Sequence, residues 1–456
     1  MRGRPRAAGG ASSISEAARA DLWPLPVAFV VVATTAGVLL PLLDQAVDED
    51  LPLFVRTVVF GGGPSAARDI LLTVAGAFMT VSSLTFSLTV VTLQLASSQY
   101  SPRLLRSFAS DRAVQVTLGV FLGSFAYALV VLRTVREETS ATPEFVPRLS
   151  VTLSVVLALV GVITLVLFLA HLSRKIRIEP ILVDVHAEAS RVLARTQPAE
   201  PVPAHLQGRT DGVPVTSTRT GFVTHVDSAA LVELARERDA VVDLLASAGA
   251  VAVPGVVLAR LVPREPPPAG ARAGEAPSGT GAHDASLERD VRRAVAVGEE
   301  RSATQDPTFG LRQLADVAMR AVSSSLNDPT TAVHAITHLR AATAEALELG
   351  VGDALLRDDD GQVRVVLRRD GVPEVLDLVV GQPLLYGSGD PMVVVALLDL
   401  LARAAEAVRP DAEHLGLVLA ARSRVLAAAQ PLREDPRWAA LVDAASARVG
   451  TAASGA

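Results

Sequence analysis

Cysteine is absent from the chain of 456 residues. This absence excludes disulfide frameworks, thiolate zinc sites, iron–sulfur clusters and a cysteine nucleophile. Lysine occurs once, at Lys175, and no glycine-rich loop precedes it, so no phosphate-binding P-loop is expected. Charge is scarce too: 20% of the residues are charged and the net charge is −6, which argues against a nucleic-acid partner.

Apolar residues are abundant instead and make up half of the chain, with a mean hydropathy of +0.38. They concentrate in four uncharged segments, 24–43, 70–96, 113–132 and 149–172. Each segment provides roughly the 20 residues that a helix needs to cross a bilayer. In lipid the backbone must satisfy its own hydrogen bonds, so we predict a membrane α-helical bundle of four transmembrane helices over residues 24–172.

The short flanks of these segments indicate their orientation. Ten arginine or lysine residues lie on one side and five on the other. This bias predicts a multi-pass protein of the inner (plasma) membrane with both termini in the cytoplasm, including a tail over 1–23. Five basic residues on that side are expected to contact anionic lipid head groups: Arg103, Arg106, Arg174, Lys175 and Arg177.

Two parts of this topology have alternatives. The first segment could be a cleaved signal peptide, but its apolar run is longer than the usual hydrophobic core of such peptides, so a span is favoured. Residues 51–60 form a short apolar run interrupted by Arg56, which is too short to cross. We expect an external loop there, with a re-entrant segment as the alternative.

The second apolar segment is rich in hydroxyl side chains. At 100° per residue, Thr80, Ser83, Ser87 and Gln94 fall on one stripe, and a second polar stripe lies roughly opposite. One interpretation is a helix that lines a pore or the interior of the bundle. The other is packing between helices, with hydroxyls bonded to carbonyls of their own helix. The packing interpretation is favoured, because this segment contains no ionisable residue.

The remaining chain predicts a cytoplasmic α+β region: a small β-rich module followed by a mainly α-helical domain. The predicted parts are a membrane-proximal helix and linker (173–208), the β-rich module (209–262), a disordered linker (263–290), a mainly helical domain with a β-hairpin (291–450) and a tail (451–456). The helix of the first part is predicted to continue the fourth span, with a kink at Pro180. The linker prediction rests on its proline, glycine, alanine and serine content.

Asp-Pro pairs precede four helical patterns in the last domain, at residues 306, 328, 390 and 435. Aspartate suits the N-cap and proline suits the first helical position, so helices are expected to start there. A further pattern predicts a helix over about 411–430. Between the second and third of the Asp-Pro helices, runs 363–368 and 372–379 bracket Arg369-Asp370-Gly371, which predicts a hairpin.

Two constellations could bind a ligand. The first clusters around two predicted helix starts and consists of Arg301, Gln305, Asp306, Asp316, Arg320, Asn327 and Asp328. Adjacent helix N-termini with arginine nearby could hold an anion, but capping explains the aspartates and is favoured. The second, His334 and His338, has the spacing of a metal pair, yet neither the catalytic glutamate nor a third ligand accompanies it, so no metal site or cofactor is predicted.

Three stretches carry distinctive residue combinations: FSLT at 86–89 with LQLASSQYSPRLL at 93–105; LGVFLG at 118–123 with VLRTVR at 131–136; and QDPTFG at 305–310 with ADVA at 315–318 and LNDPTTA at 326–332. They resemble an uncharacterised family of bacterial integral-membrane proteins, known only as a domain of unknown function. The resemblance implies a membrane protein with a cytoplasmic C-terminal region and no assigned activity. This chain has Ser323 to Leu326 where that family usually has Ser-Pro, so this loop could be shaped differently.

Two functional hypotheses follow. The favoured one is a homo-oligomeric channel or transport-type protein whose second span lines the axis and whose cytoplasmic region assembles or gates it, because anchoring alone does not require a span that is polar on two opposed faces. The alternative is a membrane-anchored ligand sensor or scaffold without a pore. An enzyme ranks last, because no set of residues with catalytic roles can be assembled.

Overall fold

The structure is a computed structural model that describes residues 23–47, 59–99, 111–138, 144–175, 177–264, 281–302, 304–408 and 410–455. The predictions for the N-terminal tail, for most of the loop 51–60, and for Arg103 and Arg106 lie outside these residues. The chain divides into two compact units, Met1–Arg177 and Ile178–Ala456.

The N-terminal unit contains four long helices in the described ranges: α1 (Pro24–Val47), α2 (Pro64–Gln99), α3 (Arg112–Leu132) and α4 (Arg148–Lys175). All four are long and apolar enough to cross a bilayer. They coincide with the four predicted segments, and α2 begins six residues before its segment. The predicted four N-terminal apolar helices are therefore confirmed.

α3 packs against each of the other three helices and is the most buried of the four. Small residues allow this close packing. A Cβ added at Gly119 would lie 2.9 Å from the ring of Phe29 in α1, and one at Gly123 would lie 3.3 Å from the Phe29 carbonyl oxygen. Glycine at helix crossings of this kind lets two backbones approach each other in lipid. On the other side of α3, the rings of Phe121 and Phe78 lie 5.9 Å apart.

A buried carboxylate ties α1 to α4. Asp44, 3% exposed, accepts hydrogen bonds from the backbone N–H groups of Leu149 and Ser150 at 2.8 and 3.0 Å, and from the Ser150 hydroxyl at 2.6 Å. The first N–H groups of a helix have no partner within it. An aspartate on α1 thus caps α4, a role that adjacent residues usually fill.

The C-terminal unit combines helices with two small sheets. Its described helices are α5 (Ile178–Leu193), α6 (Ser228–Glu237), α7 (Gly281–Ala294), α8 (Phe309–Ala321), α9 (Pro329–Leu349), α10 (Val372–Leu376), α11 (Gln382–Gly387), α12 (Pro391–Val408), α13 (Ala412–Ala428), α14 (Gln430–Glu434) and α15 (Pro436–Ser454). The strands are β1 (Val213–Thr216), β2 (Gly221–Val226), β3 (Ala240–Leu244), β4 (Val251–Ala252), β5 (Val257–Pro263), β6 (Val295–Gly298), β7 (Ala354–Arg357) and β8 (Val363–Leu367). A single 3₁₀ turn, Ala204–Leu206, precedes β1, and the π-helical turn Asp377–Gly381 joins α10 to α11.

The larger sheet has the strand order β1-β5-β3-β8-β7, and the smaller has the order β4-β2-β6. β3 and β8 pair in parallel, with Val242 opposite Val365. The predicted β-rich module and the predicted helical domain therefore share one sheet, and residues 209–262 do not fold apart from 291–450. Pairing between residues so far apart leaves no local sequence pattern, which is why the prediction separated them.

Two predicted segments of the C-terminal region differ from the structure. Residues 281–290, predicted as linker, belong to α7. The chain after Arg369-Asp370-Gly371 is helical, because the Glu374 side chain accepts the Gly371 N–H at 3.0 Å and Pro373 fits the first turn. The hairpin that the structure does contain pairs β7 with β8.

The helix predicted to continue the fourth span is a separate helix. α4 ends at Lys175 and α5 begins at Ile178, so Pro180 stands in the first turn of α5. Proline lacks an N–H and is best tolerated where no intrahelical bond is needed. The chain therefore starts a new helix just before this proline.

Most of the predicted caps are present. The carboxylates of Asp328, Asp390, Asp411 and Asp435 accept backbone N–H groups at the starts of α9, α12, α13 and α15. The first Asp-Pro pair differs: α8 begins at Phe309 with Thr308 as its N-cap residue, and the Asp306 carboxylate accepts the Thr308 N–H just before the helix.

Candidate functional site

The exposed face of α2 carries the hydroxyl stripe that the sequence predicts. Thr80, Ser83, Ser87 and Gln94 are all exposed in the four-helix unit. Three further exposed residues, Asp69, Thr73 and Gly76, continue the same line toward Pro64, with alternating spacings of four and three residues. Such spacing keeps residues on one face of a helix. We call this line the α2 stripe: Asp69, Thr73, Gly76, Thr80, Ser83, Ser87 and Gln94. The exposed Val90 interrupts the line between Ser87 and Gln94.

Large apolar residues border the α2 stripe on both sides. The exposed side chains of Leu72, Met79 and Phe86 flank one side, and those of Leu84 and Val91 flank the other. The stripe therefore runs along the middle of the surface that α2 presents outward. Its members are small or polar, whereas its borders are bulky and apolar.

The opposite polar stripe of α2 is inside the bundle. Ser82, Thr85, Thr89 and Thr92 are buried. Three of their hydroxyls donate to carbonyl oxygens four residues earlier in the helix, at 2.7 to 2.8 Å. For this stripe the packing interpretation is the right one, because the bonds stay within the helix and its neighbours cover it.

The exposed faces of α1 and α4 have a different character. Between Val27 and Leu43 the only exposed polar residue is Thr35, whose hydroxyl donates to the Val31 carbonyl at 2.8 Å. Every exposed residue of α4 between Val155 and Ala170 is apolar. Lipid tails suit surfaces of that kind. Among the described spans, α2 thus stands out for the polarity of its outward face.

Charged groups lie at both ends of the bundle. At the end where α2 begins, Arg68 donates to the Glu137 carboxylate at 2.6 Å and to the Val135 carbonyl at 3.3 Å. At the other end, His171 of α4 lies 2.7 Å from the carboxylate of Asp111, the N-cap of α3.

The basic residues predicted to meet head groups are only partly described. Arg174 and Arg177 are exposed, and the Arg174 guanidinium also donates to the Ala170 carbonyl at 3.2 Å. The side chain of Lys175 lies outside the described part of the structure. Contact of these residues with lipid stays a prediction.

The predicted polar cluster of the C-terminal region does not come together as one site. Asp306 lies three residues before the start of α8 and Asp328 immediately precedes α9, and these helices pack as neighbours joined by a short turn. In such a helical hairpin the two helix starts lie at opposite ends, separated by the length of α8, about 20 Å. The two helix N-termini are therefore not adjacent to each other.

The first three residues of that cluster, Arg301, Gln305 and Asp306, form hydrogen bonds that stabilise the loop before α8. Arg301 forms a short ion pair with Asp306, which is 2% exposed. The Asp306 carboxylate also accepts the backbone N–H and the hydroxyl of Thr308, both at 3.0 Å. The Gln305 side chain accepts the Val226 N–H at 2.7 Å and donates to the Val226 carbonyl at 3.2 Å, which joins this loop to β2.

The second half of the cluster lies along α8 and at the start of α9. Asp316 and Arg320 stand in the middle and in the last turn of α8. Asn327 adopts a left-handed backbone conformation, with a φ of 46°, in the turn between the helices. Asp328 caps α9, and its hydrogen bonds to the Thr331 side chain and N–H lower the pKa of this carboxyl. Capping was the favoured interpretation of this aspartate, and the geometry agrees.

A histidine network that the sequence did not reveal links α5 to α9. The Nδ1 atoms of His186 and His338 lie 3.1 Å apart, and His186 Nε2 lies 3.4 Å from a Glu345 carboxylate oxygen. The Ser190 hydroxyl donates to the other oxygen of Glu345 at 2.5 Å. His338 thus contacts a histidine 152 residues away, and its predicted neighbour His334 is exposed.

This network is not arranged as a metal centre. No group of three or more His, Asp or Glu side chains that could hold a metal ion occurs in the described part of the chain. Burial lowers the pKa of His338, and the nearby charges of His186 and His334 lower it further.

Comparisons with known proteins agree with the fold. Residues 19–403 match the family described as "Predicted membrane protein (DUF2254)". An uncharacterised protein of Mycobacterium bovis and one of Mycobacterium tuberculosis are each 33% identical over 391 residues, which cover 84% of this chain and 72% of each relative. No solved structure matches the chain. Since the match extends over most of its length, the chain belongs to the DUF2254 family of predicted membrane proteins.

Proposed function

We propose that the protein is a homo-oligomeric membrane channel or transport-type protein, in which the α2 stripes of several copies surround a common axis. One observation carries this proposal. The outward face of α2 has small and polar residues along its centre and bulky apolar residues along both borders. The hydroxyls of Thr73 and Thr80 donate to carbonyl oxygens four residues earlier in the helix. Lipid provides no hydrogen-bond partners for the carboxylate of Asp69 or the amide of Gln94, so this face is better placed against other protein or water.

A second copy of this chain is the occupant that best fits this face. The repeat of three and four residues is that of helices packing side by side, and small side chains permit close approach. Apolar borders would then contact the α2 borders of neighbouring copies. If one border of each copy contacts the opposite border of the next, a rotation that closes gives a symmetric ring.

The proposal includes an orientation. The arginine and lysine bias of the flanks favours a plasma-membrane protein with both termini, and therefore the C-terminal unit, in the cytoplasm. In that orientation Asp69 and the start of α2 lie on the extracellular side of the membrane, and Gln94 lies nearer the cytoplasm. A reporter fused after Ala456 tests this assignment, since activity on the cytoplasmic side is expected.

The C-terminal unit would serve assembly or gating and would carry no catalytic step. The ligand-sensor alternative gains no support from the polar cluster, whose buried members Arg301 and Asp306 bond to each other and to Thr308. The Gln305 side chain is hydrogen-bonded to the Val226 backbone. These groups stabilise the loop before α8.

Ion flux into liposomes containing the full chain tests the proposal. Ser83→Leu or Ser87→Leu fills the centre of the α2 stripe with an apolar side chain, so we expect most of the flux to be lost. Thr35→Leu is the matched control, because it makes the same kind of change at an exposed hydroxyl position on α1. The proposal fails if the wild-type protein gives no flux, or if both stripe variants conduct as well as the control.

A further inference from the structure

We propose that Asp69 forms a ring of carboxylates at one mouth of the channel and makes it select small cations over anions. The inference rests on the proposed function and adds the class of ion. It starts from the position of Asp69 on the α2 stripe, four residues before Thr73 and in line with Ser83 and Ser87. A helix that turns Ser83 toward an axis turns Asp69 toward it too.

Asp69 is the charged member of the α2 stripe. The other six members are neutral, and the Asp69 side chain is exposed one turn beyond the start of α2. The neighbouring cation does not neutralise it: the Arg68 guanidinium is held by the Glu137 carboxylate and the Val135 carbonyl. In a ring of copies, the mouth near the start of α2 would carry one negative charge per copy.

A ring of acidic side chains at a pore mouth attracts cations and repels anions. Carboxylates in a confined, like-charged opening raise the local concentration of counter-ions by about tenfold or more. The hydroxyls of Thr80, Ser83 and Ser87 further along the stripe offer neutral oxygen atoms to the passing ion. This arrangement fits small, hydrated monovalent cations, and it provides no positive group along the stripe for an anion.

Reversal potentials of the full-length protein in planar bilayers, measured under a KCl gradient, test the inference. We expect the wild-type channel to pass K⁺ in preference to Cl⁻ by about tenfold. Asp69→Asn should bring the permeability ratio toward one while conductance persists, and Asp69→Glu should retain the cation preference. Glu138→Gln is the matched control, since it removes an exposed carboxylate near Glu137 that is not on the stripe, and selectivity should survive.

The outcomes separate the two claims. Absence of any conductance from the wild-type protein contradicts the channel itself. A conducting wild type that prefers anions overturns the role of Asp69 and leaves the channel standing. If the wild type prefers cations and Asp69→Asn keeps that preference, the role of Asp69 is likewise overturned while the channel stands. The elution volume of each variant in detergent shows whether the assembly is intact, so a loss of selectivity with unchanged size supports the ring.

Discussion

Gly249 is a residue at which the fold depends on the absence of a side chain. Its φ is +90°, and a Cβ there would collide with the Asp306 carboxylate and lie 2.7 Å from the Arg301 guanidinium. The buried ion pair before α8 thus occupies space that any other residue at position 249 would need. Buried ion pairs tolerate such crowding poorly, because a displaced carboxylate loses its partners.

Gly249→Ala should therefore destabilise the protein more than an ordinary change at a left-handed glycine. Gly255→Ala is the matched control, since Gly255 has a φ of +85° and open space around its Cβ position. Both variants place an alanine at a positive φ and so carry a similar backbone strain. We expect Gly249→Ala to lower the free energy of unfolding by about 1–3 kcal/mol more than Gly255→Ala, because its methyl group overcrowds the Asp306 site. Thermal unfolding of both variants in detergent provides the comparison. Equal melting temperatures would show that the Asp306 carboxylate can move aside for the added methyl group, and would contradict the prediction.

Asp44→Asn tests the cap that α1 provides for α4. Asparagine keeps the size of aspartate but replaces one acceptor oxygen with an NH₂ group, so one of the donors from Leu149 or Ser150 loses its partner. A buried donor without a partner costs about 1–3 kcal/mol. The melting temperature should fall, and Glu138→Gln, an exposed carboxylate-to-amide change, should leave it unchanged. An unaffected Asp44→Asn variant would contradict the structural role of this carboxylate.

At the scale of a single helix or strand, the sequence predicts the features that depend on residues within one or two helical turns of each other. The carboxylates of Asp328 and Asp411 start helices where the Asp-Pro and apolar patterns place them. The α2 stripe could also be predicted, because Thr80, Ser83 and Ser87 need only the 100° step of a helix. The run 372–379 misled the prediction, since a valine-rich segment after a turn is typical of a strand until Glu374 caps it as a helix.

The contact between α5 and α9 should be sensitive to acid. The pKa of His338 is lowered from 6.5 in the folded protein, so on acidification below that value the unfolded state takes up the proton first. Stability therefore falls as the pH falls below about 6.5, until the folded state is protonated as well. Protonated His338 would also face His186 and His334 with like charge.

We expect the melting temperature of the wild-type protein to drop between about pH 7.5 and about pH 5.5, and His338→Gln to show a smaller drop. His225→Gln is the control, because His225 is exposed on β2 and should leave the wild-type dependence intact. Hydrogen exchange of the α5 amides at both pH values would locate the effect. An identical pH dependence in the wild-type protein and His338→Gln would rule out this histidine as its source.

At the scale of the whole molecule, the sequence predicts the broad division and misses the long-range connections. Apolar runs identify the four helices of the N-terminal unit, because the length needed to cross a bilayer is a local property. The parallel pairing of Val242 with Val365, and the contact of His186 with His338, join residues more than a hundred positions apart. No short pattern records such pairs, so the prediction separated segments that share a sheet.

Assembly through the α2 stripe is the central claim, and the cysteine-free chain allows it to be tested directly. A single cysteine replaces Ser83 or Ser87 in the full chain, and membranes are treated with a short bismaleimide cross-linker. Leu159→Cys is the control, on the exposed apolar face of α4. We predict cross-linked dimers from both stripe positions and monomers from the α4 position. Monomers from all three, or equal cross-linking from all three, would contradict assembly through α2.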